Sequence, residues 1–479
     1  MPFPFVLSTT SQLSFQQNFT SSTHPSLPST ASSQRNLLRS TLKAHKRLAS
    51  GDQAANLSDV LLALDSYLKY ICTLNLSLSG TIVNDEDVDL ALTREVEVEW
   101  RPTLSSTPIP GREADRVRGQ GLDYEFFFVH QTYAVVQNLF ARQALLGIYA
   151  SSSPTTEQRL GLIQTAIRHV KTAASIHAFL VHHANTGDGP PELPAAAADV
   201  SISVQSALHR LAQAELNLLG AFKDDPYPAV LAQSRNEQDR EWMIKAPDIP
   251  KTRAQVLSRL CLGASEHATA AGAILKAERR VSKDLIEYTD NLRRTARARA
   301  CRFQAISADT GGEIGKGIAW IYAGLSELGL EISVKEGSSK TGSLSKLKAS
   351  WNERKEDRRI GKGSARWGSD AGKAEEARIL EYLEKKLVRS NDNVHFQTVP
   401  EYKPLLAMLP SGMNMPVGDE QWKPPVLSED ELVQMRAPPD YDAMEQDSSD
   451  EDRNDAQFKA EKPAGAFPGT DAEYKISYY

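Results

Sequence analysis

The stretch from Tyr124 to Tyr149, YEFFFVHQTYAVVQNLFARQALLGIY, decides the class of fold. Its apolar side chains fall at almost every angle around a helical axis, the pattern of a helix buried on all sides. Just before it, from Glu95 to Trp100, the period changes. Val96, Val98 and Trp100 alternate with Glu95, Glu97 and Glu99, which predicts a strand with one buried and one wet face. No other segment carries a convincing strand signal, so helices dominate the chain.

Further toward the N-terminus, two helical patterns carry Leu37, Leu38, Leu42 and Leu48, then Val60, Leu61, Leu64, Leu68 and Ile71. Residues 1–33 are rich in Ser, Thr and Pro and read as extended. On the other side of the long helix, Thr155-x-x-Gln158 is a capping-box start. The stripe Leu160, Ile163, Ile167, Val170 and Ala174 follows at helical spacing. Residues 185–198 read as a Gly/Pro/Ala loop, after which Asp199 can cap a helix carrying Val200, Val204, Leu208, Leu211, Leu218 and Phe222. Further helices are expected over 250–308, 312–330 and 370–390. Long antiparallel helices with short connections make an α-solenoid or helical bundle. No fixed repeat period is visible.

Charge narrows the function classes. The chain of 479 residues has a formal charge of −6. Glu429 to Lys459 holds eleven acidic and three basic residues, a net −8, so the remainder is nearly neutral. A nucleic-acid binder needs a concentrated basic face to displace counterions, and no such balance is present. No run of 18 apolar residues is present, so no membrane span is expected. The opening Met1-Pro2-Phe3-Pro4-Phe5 lacks the charged and apolar regions of a signal peptide. Cys72, Cys261 and Cys301 are too few and too dispersed for a disulfide framework or a zinc site, which points to a reducing compartment.

Two segments stand apart. Residues 335–366 hold ten Lys/Arg against four Asp/Glu, either a solvated flexible insertion or a patch for acidic lipids or partners. From about Gly418 the chain is acidic and Pro-rich, which predicts disorder.

Catalytic chemistry finds no foothold in the sequence. His182 and His183 are adjacent, so on a helix they diverge by about 100° and cannot share a metal. His177 continues an apolar stripe and reads as a core histidine. A phosphatase loop needs Arg six positions after Cys, and Leu78, His267 and Ser307 stand there instead. Gly311-Gly312-Glu313-Ile314-Gly315-Lys316-Gly317 lacks the Gly-Lys-Ser/Thr ending and the preceding strand of a phosphate loop. It reads as a helix start with small residues for close packing. No cofactor or metal is expected.

Four short motifs, in order, resemble the BRO domain, the helical module of ALIX-type proteins. They are Val98-Glu99-Trp100, Gly121-Leu122-Asp123-Tyr124-Glu125, Leu211-Ala212-Gln213-Ala214-Glu215, and Asn391-Asp392-Asn393-Val394-His395-Phe396 followed by Val399-Pro400. The resemblance covers roughly residues 1–416 and implies an elongated, mostly α domain with a small strand element. Residues 417–479 would then be an acidic tail, and 335–366 an insertion. Met1 to Phe5, and Lys223-Asp224-Asp225-Pro226-Tyr227-Pro228 leading to Glu241-Trp242-Met243-Ile244-Lys245, are similar to the PalC branch of fungal BRO-domain proteins.

That resemblance implies a cytoplasmic, non-enzymatic adaptor recruited to cortical or endosomal sites. It implies binding to the Snf-seven-type subunit of ESCRT-III. It further implies a role in alkaline-pH processing of the transcription factor PacC by the calpain-like protease PalB. An endosomal sorting adaptor without a signalling role is the alternative. Carried over through the Leu-Ala-Gln-Ala anchor, the family's partner-binding patch falls on Leu218, Tyr227 and Leu231. Separately, Pro438-Pro439-Asp440-Tyr441 matches the ligand pattern of WW domains such as those of ubiquitin ligases. Its paired prolines pre-set a polyproline II conformation and offer Pro438, Pro439 and Tyr441 to a preformed groove.

Overall fold

Each long helix buries its apolar stripe against the helix before and after it in the chain. In the computed structural model, which describes residues 2–107, 113–150, 155–186, 191–233, 249–330, 366–416 and 421–438, twelve helices are present. The first five are α1 (Leu27–Arg47), α2 (Ser50–Leu78), α3 (Leu122–Ala150), α4 (Thr156–Thr186) and α5 (Ile202–Lys223). A short α6 (Tyr227–Gln233) precedes α7 (Lys251–Ala277), α8 (Lys283–Thr310) and α9 (Ile314–Glu327). Then come α10 (Lys373–Ser390), α11 (Tyr402–Ala407) and α12 (Glu429–Val433). Packing runs α1–α2–α3–α4–α5–α7–α8–α9–α10, the succession expected of a stacked helical array.

Four short strands interrupt this array, in two antiparallel pairs. They are β1 (Phe19–Thr20) with β2 (Ala91–Leu92), and β3 (Glu97–Trp100) with β4 (Val117–Gln120). The alternation read in the sequence is real: Val96, Val98 and Trp100 are buried while Glu95 is exposed. The Gly121-to-Glu125 motif then turns the chain from β4 into α3. Gly121 takes φ +86°, a left-handed conformation that favours glycine. At Gly119 a Cβ would lie 2.1 Å from the Tyr124 ring, so the tyrosine seals the corner, and its hydroxyl donates to the Val117 carbonyl at 2.9 Å.

Several expectations hold in detail. Thr155 and Gln158 form both halves of the capping box. His177 is buried and bonded to Gln205 at 2.7 Å, and burial pushes its pKa down to about 4. The glycine-rich run at 311–317 serves packing, since a Cβ on Gly315 would sit 2.4 Å from the Thr398 carbonyl.

Others are corrected. Residues 2–20, read as part of an extended lead, form a packed segment that buries Phe5, Leu7, Leu13, Phe15 and Phe19. Its backbone is satisfied by β3 and the residue after it, through Ser11 N–H to Glu99 and Arg101 N–H to Thr9. Helix α1 begins at Leu27, with Pro28 in the first turn, where its missing N–H costs nothing. Leu37 and Leu48, placed on its stripe, are exposed; Ala31, Arg35, Leu38, Leu42 and His45 form the buried face. Asp199 does not cap α5. Its buried carboxylate instead accepts from the backbone N–H groups of Thr103 and Leu104 at 2.8 and 3.1 Å. The 250–308 stretch is two helices, broken at 278–282, where Ser282 caps α8.

The acidic C-terminal region also begins later than composition suggests. Residues 421–436 pack as a strap: Leu427 and Leu432 are fully buried. Leu427 N–H donates to Thr73 Oγ1, and Asn84 donates to the Leu427 carbonyl. Trp422 sits against Phe179, His130 and Tyr133. Ser428 and Glu431 close a capping box on α12. Compositional acidity masked the two leucines that flank the Ser428 cap, Leu427 just before it and Leu432 in the first turn after it. The chain divides into units Met1–Arg436 and Ala437–Tyr479, so the body extends twenty residues beyond 416.

Candidate partner-binding surface

The three residues expected to meet a partner lie on α5 and α6, joined by Asp224-Asp225-Pro226. Leu218 and Tyr227 are buried, at 5% and 4% exposure, whereas Leu231 is partly buried at the edge of the core. A shared exposed patch is therefore not what this conformation presents. Leu218 and Tyr227 belong to the buried core against which Leu231 packs.

The reason lies in the turn between the helices. Asp225 accepts from the Tyr227 backbone N–H at 3.1 Å, fixing the start of α6. The same carboxylate accepts two hydrogen bonds from Arg302 on α8, at 3.2 and 2.6 Å. Arg302 also donates through Nε to Glu376 on α10 at 2.6 Å, and Arg299 donates to Glu376 at 2.9 Å. Arg159 on α4 closes the turn from the other side, donating to the carbonyls of Phe222 and Asp225. Burial works against the charge on Arg302, but Asp225 and Glu376 outweigh it and hold the guanidinium above its ordinary pKa. Tyr227 is drawn inward because its ring packs 5.7 Å from this buried cation. Sequence reasoning singled out Asp225 and Tyr227 but missed Arg302, Glu376 and Arg159, which no local pattern joins.

A second buried cluster ties α1, α2 and β3 to the start of α3. Glu125, from the strand-to-helix motif, accepts from Arg35 at 2.9 and 3.2 Å, Tyr67 at 3.0 Å and Trp100 Nε1 at 2.6 Å. Trp100 stacks flat on Phe128 with ring centroids 5.1 Å apart. The motif is thus a structural corner whose polar residue is fully satisfied.

Shifted carboxyl groups do occur together beside α5. Burial pushes Glu215 up to about 7, and desolvation raises Glu375. Each accepts a tyrosine hydroxyl, from Tyr288 at 2.6 Å and Tyr149 at 2.7 Å. The cavity they line with Arg299 is about 20 Å³, room for a water molecule but not for a substrate. The three cysteines are buried thiols, and burial pushes Cys261 up to about 12. Among the described residues no group of His, Cys, Asp and Glu could hold a metal ion. No described helix is long and apolar enough to cross a membrane. Pro438 is exposed, while Pro439 and Tyr441 lie outside the described residues, as do nearly all of the basic 335–366 segment and the Glu241–Lys245 motif.

Comparison with known proteins gives the same architecture. No family model matches the chain. The pH-response regulator protein palC of Emericella nidulans is 39% identical over 98% of this chain and 99% of its own length. The ALIX BRO1 domain, solved in a complex with CHMP4C, superposes with a TM-score of 0.52 over 88% of this chain and 96% of that one, at 14% identity. ALIX in complex with the SIVmac239 late domain gives a TM-score of 0.51 over 92% of this chain and 53% of that one, also at 14% identity. The helical succession is therefore that of the BRO1 fold.

Proposed function

The chain belongs to the family of the palC pH-response regulators, and on that premise we propose that it is a non-enzymatic adaptor of ambient-pH signalling. It binds an ESCRT-III subunit of the Snf-seven type and is required for proteolytic activation of PacC at alkaline pH. The observation that carries this reading is the end-to-end match to palC, reinforced by a BRO1 fold of the kind solved with CHMP4C. PalB supplies the proteolysis, and this chain works from cortical or endosomal sites in the cytoplasm.

The partner contact centres on Leu231, with Leu218 and Tyr227 in the core it packs against. An amphipathic helix laid on α5 and α6 would bury the Leu231 side chain in a helix-in-groove contact. Leu231→Asp would then place an unpaired charge in that contact and weaken binding about thirtyfold, or about 2 kcal/mol. Calorimetric titration of residues 1–436 with the subunit's C-terminal helix reads this directly. Undiminished affinity in a folded mutant removes Leu231 from the interface. In cells, loss of PacC processing with intact cargo sorting marks the signalling adaptor; loss of sorting marks an endosomal one.

Beyond the body, Pro438, Pro439 and Tyr441 serve as a WW-domain ligand, for example of a ubiquitin ligase. A 432–448 peptide should bind a WW domain at micromolar affinity, and its Tyr441→Ala counterpart should not. Equal behaviour of the two peptides makes the motif a linker.

A further inference from the structure

One face of α1 gathers positive charge that the fold leaves unbalanced. Arg39, Lys43 and Arg47 recur every four residues, so they stand in one line along the helix. Lys46, on the same flank, pairs with Glu113, which also pairs with Arg101; Arg101 in turn donates to the Ala114 carbonyl at 2.9 Å. Those bonds lay the 113–116 segment along α1 and bring Arg116 to the line of cations. Partial desolvation, and then the charges of Arg39, Arg116 and Arg47, lower the Lys43 pKa.

Among the described residues, none of Arg39, Lys43, Arg47 and Arg116 has an ion-pair partner, and the Nε of Arg39 is buried without an acceptor. Glu113 is already shared by two other cations, and Asp115 is the other acid of that segment. In a chain of net charge −6, some cations elsewhere do find acids, as Lys69, Arg297 and Arg436 do, whereas this whole line finds none among the described residues. Like charges aligned on one helix face with no acid paired to them make a patch of positive potential that attracts an anion. Guanidinium groups favour phosphate oxygens, which accept their paired N–H donors in a fixed fork.

We propose that the Arg39–Lys43–Arg47 line of α1, with Arg116 beside it, is a binding site for a multiply phosphorylated ligand, an inositol-phosphate headgroup by its chemistry. A soluble inositol phosphate and a phosphoinositide in a membrane share that chemistry, and the experiment separates them. Residues 1–436 are titrated with inositol hexakisphosphate and, in parallel, with neutral vesicles containing a phosphoinositide or an equal charge of phosphatidylserine. The variants are Lys43→Ala/Arg47→Ala, which touches only solvent-accessible side chains, and Lys385→Ala/Arg389→Ala as a charge-matched control on α10.

Saturable binding of the soluble probe, weakened at least tenfold by the α1 pair and not by the control, supports the site with a free ligand. The same pattern on phosphoinositide vesicles alone supports it with a membrane source. Binding that follows vesicle charge regardless of headgroup overturns the proposal, as does an equal loss in the control, tight binding of an acidic or phosphorylated peptide instead, or no binding at all.

Discussion

The two buried charge clusters are built as mirror images. At the strand-to-helix corner a single carboxylate, Glu125, sits at the centre and is surrounded by donors from Arg35, Tyr67 and Trp100. Beneath α6 a single guanidinium, Arg302, sits at the centre and is surrounded by the carboxylates of Asp225 and Glu376. A carboxylate accepts from neutral hydroxyl and indole groups, so one cation is enough to balance it. A guanidinium with two buried carboxylates needs a second cation, and Arg299 supplies it through Glu376. The second cluster therefore ties together more elements and is the more vulnerable to loss of its centre. It also sets the position of Tyr227 and the start of α6, since Asp225 accepts from the Tyr227 backbone N–H.

The largest expected effect follows from removing that centre. Arg302→Ala strands two buried carboxylates and should destabilise residues 1–436 by about 5 kcal/mol, read as a shift in the urea midpoint. A loss under about 2 kcal/mol would show that water replaces the guanidinium and that the clusters are not so different. Glu125→Gln keeps one accepting oxygen, turns the other into a donor facing donors, and leaves Arg35 without its counter-charge. With a single stranded charge it should cost somewhat less, about 4 kcal/mol. Finding it costlier than Arg302→Ala would reverse the comparison.

A third buried carboxyl, Glu215, sharpens the contrast, because it accepts from Tyr288 and no salt bridge to it is present among the described residues. Burial raises its pKa from an ordinary 4.5 to about 7. The folded protein thus keeps a proton that the unfolded chain gives up. The resulting stability is full below pH 4.5 and is lost as pH rises through 7, amounting to about 3 kcal/mol. Glu215→Gln should flatten that part of the stability–pH curve between pH 5 and 8; an unchanged slope would assign it to other groups. The smallest effect belongs to the strap, whose Arg436 pairs with the buried Glu86 from an exposed position. Residues 1–417 should be about 2 kcal/mol less stable than residues 1–436, because Leu427 and Leu432 lose their burial while the strap regains its conformational freedom. Coincident denaturation curves would mean the strap contributes nothing to stability.

Local pattern determined the parts of the protein whose signal is short in range. The all-round apolar run of α3, the alternation of Val96, Val98 and Trp100, and the Thr155–Gln158 cap each depend on neighbours within a few residues, so composition and period reveal them. The BRO-type motifs were legible for the same reason: Gly121, Tyr124 and Glu125 make one local turn. Even there, the partners that Glu125 would find, Arg35 and Tyr67, were invisible. Tertiary structure alone decided where polar side chains end. It turned Asp199 from a cap into a clamp on Thr103 and Leu104, and drew Tyr227 under Arg302. It also buried Leu427 and Leu432 inside an acidic stretch. Their partners stand tens to hundreds of residues away, and an exposed or buried position costs the same in local propensity. Only the folded chain, which must satisfy every charge it removes from water, makes the choice.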